Sequence, residues 1–176
     1  MTTLKTRQSE AELAAQALTQ HYVASTIVDT ILCLDGTEVI GACMASELTR
    51  DGYVNMNAHQ TIYVVTPEHT TGSQLIFREN TAPMIQGKHV LVLAASVTTG
   101  YTVQAAIEAV NYYGGTVAGL SAIFATTHEC LGIPVTSIFD PSSLPDYASF
   151  DSRDCPMCKA GQHIDALVNS FGYSAL

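Results

Sequence analysis

The sequence predicts an α/β fold of three layers, with a mostly parallel central sheet between flanking helices. Three observations predict it. Apolar runs rich in β-branched residues alternate with segments of helical period. Residues 90–93 are apolar without alternation, as a strand buried on both faces requires. Of 176 residues, 47% are hydrophobic and only 13% charged, which suits a sizeable buried core and argues against disorder.

Each element has its own warrant. Residues 9–22 read as an amphipathic helix. Ser9 stands at its cap, Glu10 and Glu12 suit the positive end of its dipole, and Leu13, Ala14, Ala17 and Leu18 share one face. Residues 27–34 form a β-branched strand, 35–37 a turn and 38–48 a second helix. Residues 62–65 and 74–77 are short strands of a hairpin region. Residues 90–95 make the central strand. A helix over 101–113 turns Val103, Ile107 and Val110 inward and stops at Gly114-Gly115. Strands follow at 116–124 and 133–139, then a Pro- and Asp-rich loop over 140–160 and a closing helix over 163–171. The whole, 1–176, reads as a single domain whose parallel strands are joined by right-handed crossovers.

Composition excludes several classes of function. The net charge is −9, and the seven basic residues (Lys5, Arg7, Arg50, Arg78, Lys88, Arg153, Lys159) form no cluster in sequence. A nucleic-acid partner needs a basic footprint, so none is expected. No apolar run is long enough to span a membrane, and no signal sequence opens the chain, so a cytoplasmic protein is expected. Five scattered cysteines in that setting read as free thiols.

The most informative segment runs from Lys88 to Thr102. An apolar strand turns through Thr98-Thr99-Gly100-Tyr101-Thr102 into a helix. Amides at a helix start are unpaired and carry the positive end of the dipole, which makes a phosphate site. Gly100 permits close approach to the backbone, and the threonine hydroxyls add donors. The candidate phosphate-binding residues are Ser96, Val97, Thr98, Thr99, Gly100, Tyr101 and Thr102. An ordinary strand-to-helix turn with threonine caps is the bland alternative.

This segment resembles the phosphoribosyl-diphosphate (PRPP) loop of type I phosphoribosyltransferases: an apolar strand, two acidic residues, two apolar residues, then Thr-Thr-Gly-x-Thr. The orotate phosphoribosyltransferase-like proteins are the most similar group. They share the early helix, the Asp-Thr-Ile-Leu-Cys strand at 29–33 and a Cys-Pro-x-Cys-Lys-x-Gly tail, here 155–161. The resemblance runs from about residue 10 to the C-terminus. It implies the three-layer fold of that family, a 5′-phosphate at 98–102, pyrophosphate beside Asp35, Gly36, Thr37 and Glu38, a magnesium ion accompanying PRPP, a homodimer, and a place in nucleotide or pyrimidine metabolism. A capped strand-to-helix turn is an equal reading of 35–38. Because the chain starts close to its first helix, the usual hood over the substrate is expected to be reduced or rebuilt.

Two departures bear on chemistry. The acidic pair is replaced by Ala94-Ala95, followed by Ser96. In the family those carboxylates hold the ribose hydroxyls. Losing two charged hydrogen bonds weakens ribose capture by roughly 3–6 kcal/mol, or about 10²–10⁴-fold. The loop that carries an Arg-Lys pair and a further Lys in orotate-type enzymes reads Val-Thr-Pro-Glu-His-Thr-Thr-Gly at 65–72, with no cation. His69 reads as a solvent-exposed residue there, and Arg78 as a partner of Glu79 or Asp51. No catalytic residue is assigned. Two functions remain: a phosphoribosyltransferase, or a catalytically impaired module that binds a nucleotide or sugar phosphate.

Cys155-Pro-Met-Cys158 has half a zinc spacing. Zinc is not favoured, since a full site needs two more ligands; a tight turn with thiols packed under the last helix is the preferred reading. Tyr112, Tyr113, Tyr147, Phe150 and Tyr173 read as packing or dimer-contact residues.

Overall fold

The structure, a computed structural model, describes residues 1–72, 74–150, 153–169 and 172–176. Short helix α1 (Thr2–Thr6) leads into α2 (Gln8–Thr19). Strand β1 (Thr30–Cys33) is followed by α3 (Glu38–Leu48), β2 (Tyr63–Val65), β3 (Glu68–His69) and β4 (Leu75–Ile76). Then come β5 (His89–Val97), α4 (Tyr101–Tyr112), β6 (Thr116–Ala125), β7 (Glu129–Cys130) and β8 (Ile133–Phe139). The chain ends with the single helical turn α5 (Pro156–Lys159) and strands β9 (Ala166–Asn169) and β10 (Gly172–Ala175).

The main sheet has the order β2-β1-β5-β6-β8-β7. All its pairings are parallel except β7 with β8. Because side chains alternate across a strand, β5 feeds two cores at once. Val90, Val92 and Ala94 pack with Val103, Ala106 and Val110 of α4. Leu91, Leu93 and Ala95 pack with Ala11, Ala14, Ala15 and Leu18 of α2 and Ile40 and Met44 of α3. These are the three layers that the sequence predicts. Among the described residues no helix is long and apolar enough to cross a membrane.

The order of the sheet positions the site. After β1 the chain goes out to β2 on one side, then returns to β5 on the other. The crevice between the carboxyl ends of β1 and β5 is therefore the point where connections diverge, the usual ligand position in open α/β sheets.

Several expectations need correction. The first helix starts at Gln8 with Arg7 as its cap, so Ser9 lies inside its first turn, and no side chain caps it. Its buried face is Ala11, Ala14, Ala15 and Leu18; Leu13 is 62% exposed. The segment predicted as one strand of a hairpin joins the main sheet instead, as β2 beside β1. The hairpin pairs β3 with β4. The closing helix is absent from the described part of 163–171: β9 pairs antiparallel with β10. Gly172, at φ 144°, holds a backbone conformation that a helix cannot contain. Residues 170–171 of the predicted helix lie outside the described residues, as do 151–152 of the predicted loop and 73 of the hairpin region.

Candidate functional site

The turn from β5 into α4 is built as a strand end that releases its amides. Gly100 caps α4 at φ 80°, ψ −7°, the left-handed region where a side chain is strained. The first helical bond runs from Gln104 N–H to the Gly100 carbonyl at 2.8 Å. Among the described residues nothing accepts a hydrogen bond from the N–H groups of Thr99 to Val103, and no side chain caps the helix. A row of unpaired donors at the positive end of a twelve-residue helix stands ready for an anion. The turn itself is held from behind. Thr126 N–H donates to the Val97 carbonyl at 2.9 Å, and Thr126 Oγ1 to the Thr98 carbonyl at 2.9 Å.

A cavity of about 430 Å³ opens at this turn. Ala95, Ser96, Thr98 and Thr102 line it from β5 and α4, and Asp35 from the neighbouring loop. Met1, Thr2 and Lys5 of the N-terminal segment, and Val168, Asn169, Gly172 and Tyr173 of the terminal hairpin, close its other side. The cover whose residues the sequence does not identify is thus built from both ends of the chain. Thr99 faces a second hollow of about 320 Å³, shared with Thr126, Tyr147 and Phe150. Val97 is buried and Tyr101 is exposed, so both offer the turn their backbone.

The loop after β1 lies alongside. Leu34 N–H donates to the Leu93 carbonyl at 2.8 Å, which extends the ladder to the mouth of the crevice. Asp35 (φ 57°) and Gly36 (φ 74°) then turn left-handed. Thr37 is fully buried, and its hydroxyl is shared between the Leu34 carbonyl (2.8 Å) and the Leu93 carbonyl (3.2 Å). That side chain therefore ties the two loops together rather than facing solvent. Glu38 Oε1 accepts from Thr66 Oγ1 at 3.1 Å. Asp35, Gly36 and Glu38 share a hollow of about 350 Å³ with His69, which is exposed as expected.

Lys5 is the residue that sequence reasoning missed. It is only 6% exposed, and its Nζ donates to the Asp35 carbonyl at 2.7 Å. A methyl group placed on Gly36 would lie 3.7 Å from that Nζ and 3.9 Å from a Glu38 carboxylate oxygen. A buried charged side chain aimed at a candidate loop is a signal, but one that only the fold reveals.

Arg78 and the cysteines of α5 fall outside this cluster. Arg78 pairs with Glu68 across the hairpin, at 2.8 and 2.6 Å, and not with Glu79 or Asp51. Both side chains are largely exposed. Their mutual hydrogen bonds hold the Glu68 carboxyl below its usual range. Burial pushes the Cys33 thiol up to about 12, so it is no nucleophile at neutral pH. Cys155 sits at the start of α5, where its sulfur accepts from Cys158 N–H at 3.4 Å. That bond, with one from the Cys158 thiol, lowers the Cys155 pKa. The turn is as expected, but Cys158 is exposed and Cys155 half-buried, with no closing helix over them among the described residues. Of the aromatic residues read as packing or dimer contacts, Tyr112 (84%), Tyr147 (37%), Phe150 (46%) and Tyr173 (78%) are exposed, with Tyr147 edge-on to Phe124 at 4.9 Å. Tyr113 alone of the five is half-buried, edge-on to Phe77 with centroids 5.1 Å apart.

No protein-family model matches the chain. A 75-residue stretch is 33% identical to the orotate phosphoribosyltransferase of Pelotomaculum thermopropionicum, and covers 43% of this chain and 38% of that protein. The matched part is thus well under half of that relative's length. The structure superposes on adenine phosphoribosyltransferase from Thermoanaerobacter pseudethanolicus with a TM-score of 0.56, at 15% identity, over 76% of this chain and 82% of that one. It superposes equally, at 0.56 and 17% identity, on Mycobacterium tuberculosis orotate phosphoribosyltransferase in complex with PRPP, over 80% of this chain and 78% of that one. The fold is that of the type I phosphoribosyltransferases. Within the phosphoribosyltransferase fold, the crevice between β1 and β5 carries both candidate loops, and Ala94 and Ala95 stand where the resemblance expects acids. They are not equivalent. Ala94 is 1% exposed in the α4-side core, whereas Ala95 lines the cavity.

Proposed function

We propose that this chain binds the 5′-phosphate of PRPP or of a nucleotide on residues 96–102, as an orotate phosphoribosyltransferase-related protein of nucleotide metabolism. The observation that carries this is the run of unpaired amides from Thr99 to Val103, at the start of α4 and beside the cavity of about 430 Å³. The left-handed Gly100 keeps that backbone open to a doubly charged guest. The loop over 35–38 faces the pyrophosphate side. A homodimer belongs to the same reading.

A magnesium ion fits only as part of a substrate complex. The described residues gather no group of three or more ligating side chains. Magnesium takes one or two carboxylates plus substrate phosphates. Asp35 and Glu38 would hold it, and it would offset pyrophosphate charge beside them.

A second reading is favoured by Ala95, which lines the cavity at a position where the resemblance expects an acid. In that version the phosphate pocket is kept and turnover is lost, so the chain binds and reports.

A thermal-shift panel tests the binding claim. At a hundredfold excess over Kd, a ligand adds about 2.7 kcal/mol, a rise of roughly 5–10 °C in Tm for a chain of this size. PRPP or a nucleoside monophosphate is expected to give that rise, and Gly100→Val to abolish it. No rise with any phosphorylated ribose refutes the pocket. Release of pyrophosphate from PRPP at an ordinary enzymatic rate refutes the binding-only version.

A further inference from the structure

The two cysteines of α5 take no part in the phosphate reading, yet they are placed to react with each other. Cys155 caps the single turn Pro156–Lys159, and its Sγ accepts from the Cys158 N–H at 3.4 Å. Side chains three apart on a helical turn share a face. Standard helix geometry sets their Cα atoms about 5 Å apart. That lies inside the roughly 4.4–6.8 Å that a disulfide spans, so a bond between the sulfurs asks for no large movement of the backbone. Both are within reach of a small reagent, since Cys158 is exposed and Cys155 half-buried.

The five thiols of the chain are not alike. Burial pushes Cys33 up to about 12, and burial also raises Cys43 and Cys130. Cys155 moves the other way. The backbone N–H of Cys158, then its thiol, donate to the Cys155 sulfur and hold it below the usual thiol range. Cys158 gives that thiol bond and is raised by it. With only one turn in α5, these donors rather than a helix dipole favour the Cys155 thiolate. One contact thus separates the pair into an attacking sulfur and a reserve sulfur.

We propose that Cys155 and Cys158 form a redox-active dithiol that exchanges with low-molecular-weight disulfides, Cys155 attacking and Cys158 resolving. The Cys155 thiolate attacks one sulfur of an R–S–S–R disulfide. The S–S bond breaks, the released RS⁻ takes up the proton that Cys155 lost, and Cys155 is left as a mixed disulfide. Cys158 then gives up its proton, and its sulfur attacks that of Cys155. The mixed bond breaks, the second RS⁻ leaves with that proton, and Cys155 and Cys158 are joined. Two protein thiols are oxidised by two electrons, and one disulfide is reduced to two thiols. Neither cysteine lines the hollows beside β1 and β5, so this activity does not depend on the phosphate pocket.

The test is incubation of the reduced full chain with oxidised glutathione, then alkylation of the remaining thiols and peptide mass spectrometry. The wild type is expected to lose two thiols, with 155 and 158 joined and Cys33, Cys43 and Cys130 still alkylated after unfolding. Cys158→Ser is expected to stop with one glutathione on Cys155, and Cys155→Ser to take up glutathione on Cys158 more slowly. Wild-type protein that keeps both thiols overturns the proposal, as does Cys158→Ser without glutathione on Cys155. Uptake as fast on Cys158 in the one variant as on Cys155 in the other overturns the division of roles. Should a variant fail to fold, the native wild type carries the test. Under limiting iodoacetamide Cys155 is expected to be alkylated first; alkylation led by Cys43, Cys130 or Cys158 overturns the proposal.

Discussion

The loops after β1 and β5 leave adjacent strands at the same edge of one sheet, yet they differ in what they present. The loop after β5 offers backbone amides and hydroxyls with no charged side chain. The loop after β1 offers two carboxylates, Asp35 and Glu38, and its Asp35 carbonyl accepts a hydrogen bond from Lys5 of α1. On the proposed reading, one loop holds an anion with its own backbone, whereas the other needs positive charge from elsewhere. A phosphate site written in backbone geometry survives side-chain change, whereas a site written in side chains can be dismantled by two alanines.

The largest expected effects come from putting acids back. Ala95→Asp places a carboxylate in the cavity and is expected to tighten PRPP binding by about 10–100-fold, one charged hydrogen bond, in a titration. Ala94→Asp is expected to do the opposite. Its side chain would enter the α4-side core, where an uncompensated charge costs roughly 3–5 kcal/mol, read as a fall in the unfolding midpoint. Equal gains from both would show that the two faces of β5 are not distinguished as described.

A smaller effect tests the support of the weaker loop. Gly41 of α3 lies against β1, and a methyl group there would meet Cys33 Sγ at 2.5 Å and Val64 Cγ1 at 3.2 Å. Gly41→Ala is therefore expected to lose about 1–3 kcal/mol of stability by overpacking. It should blunt the PRPP response more than the response to ribose 5-phosphate, since it displaces only the loop over 35–38.

The smallest effect concerns the hairpin. The Glu68 carboxyl, ordinarily titrating near 4.5, titrates lower when folded because Arg78 hydrogen-bonds it. A depressed folded pKa gives stability that is present above 4.5 and is lost only as pH falls through the lower value. Glu68→Gln should lower the neutral-pH midpoint only slightly, as expected of an exposed pair. Its midpoint and that of the wild type should converge only under acid conditions.

Much of this was legible in the sequence. Helix α3 and strand β8 have the predicted bounds, and the inward face of α4 is Val103, Ile107 and Val110, because period and buried face agree there. The turn at 98–102 was readable because its signal is local: a strand, a glycine and a helix. The terminal hairpin was not read, although Val168 and Tyr173 favour extended structure. Alanine and leucine at 166–167 suggested a helix, and cross-strand pairing overrode that preference. Lys5 left no signal at all, since its partner lies 30 residues away in another element. That two acids are missing was plain from the motif. Which alanine faces the ligand depends on how β5 sits between two cores, and only the sheet decides that.

The central claim is that backbone amides at the start of α4 hold a phosphate. Amide chemical shifts during a titration with ribose 5-phosphate address it most directly. The account predicts saturable shifts concentrated on Thr99 to Val103, lost in Gly100→Val. Shifts that spare those amides, or a titration that moves nothing at millimolar ligand, would contradict it.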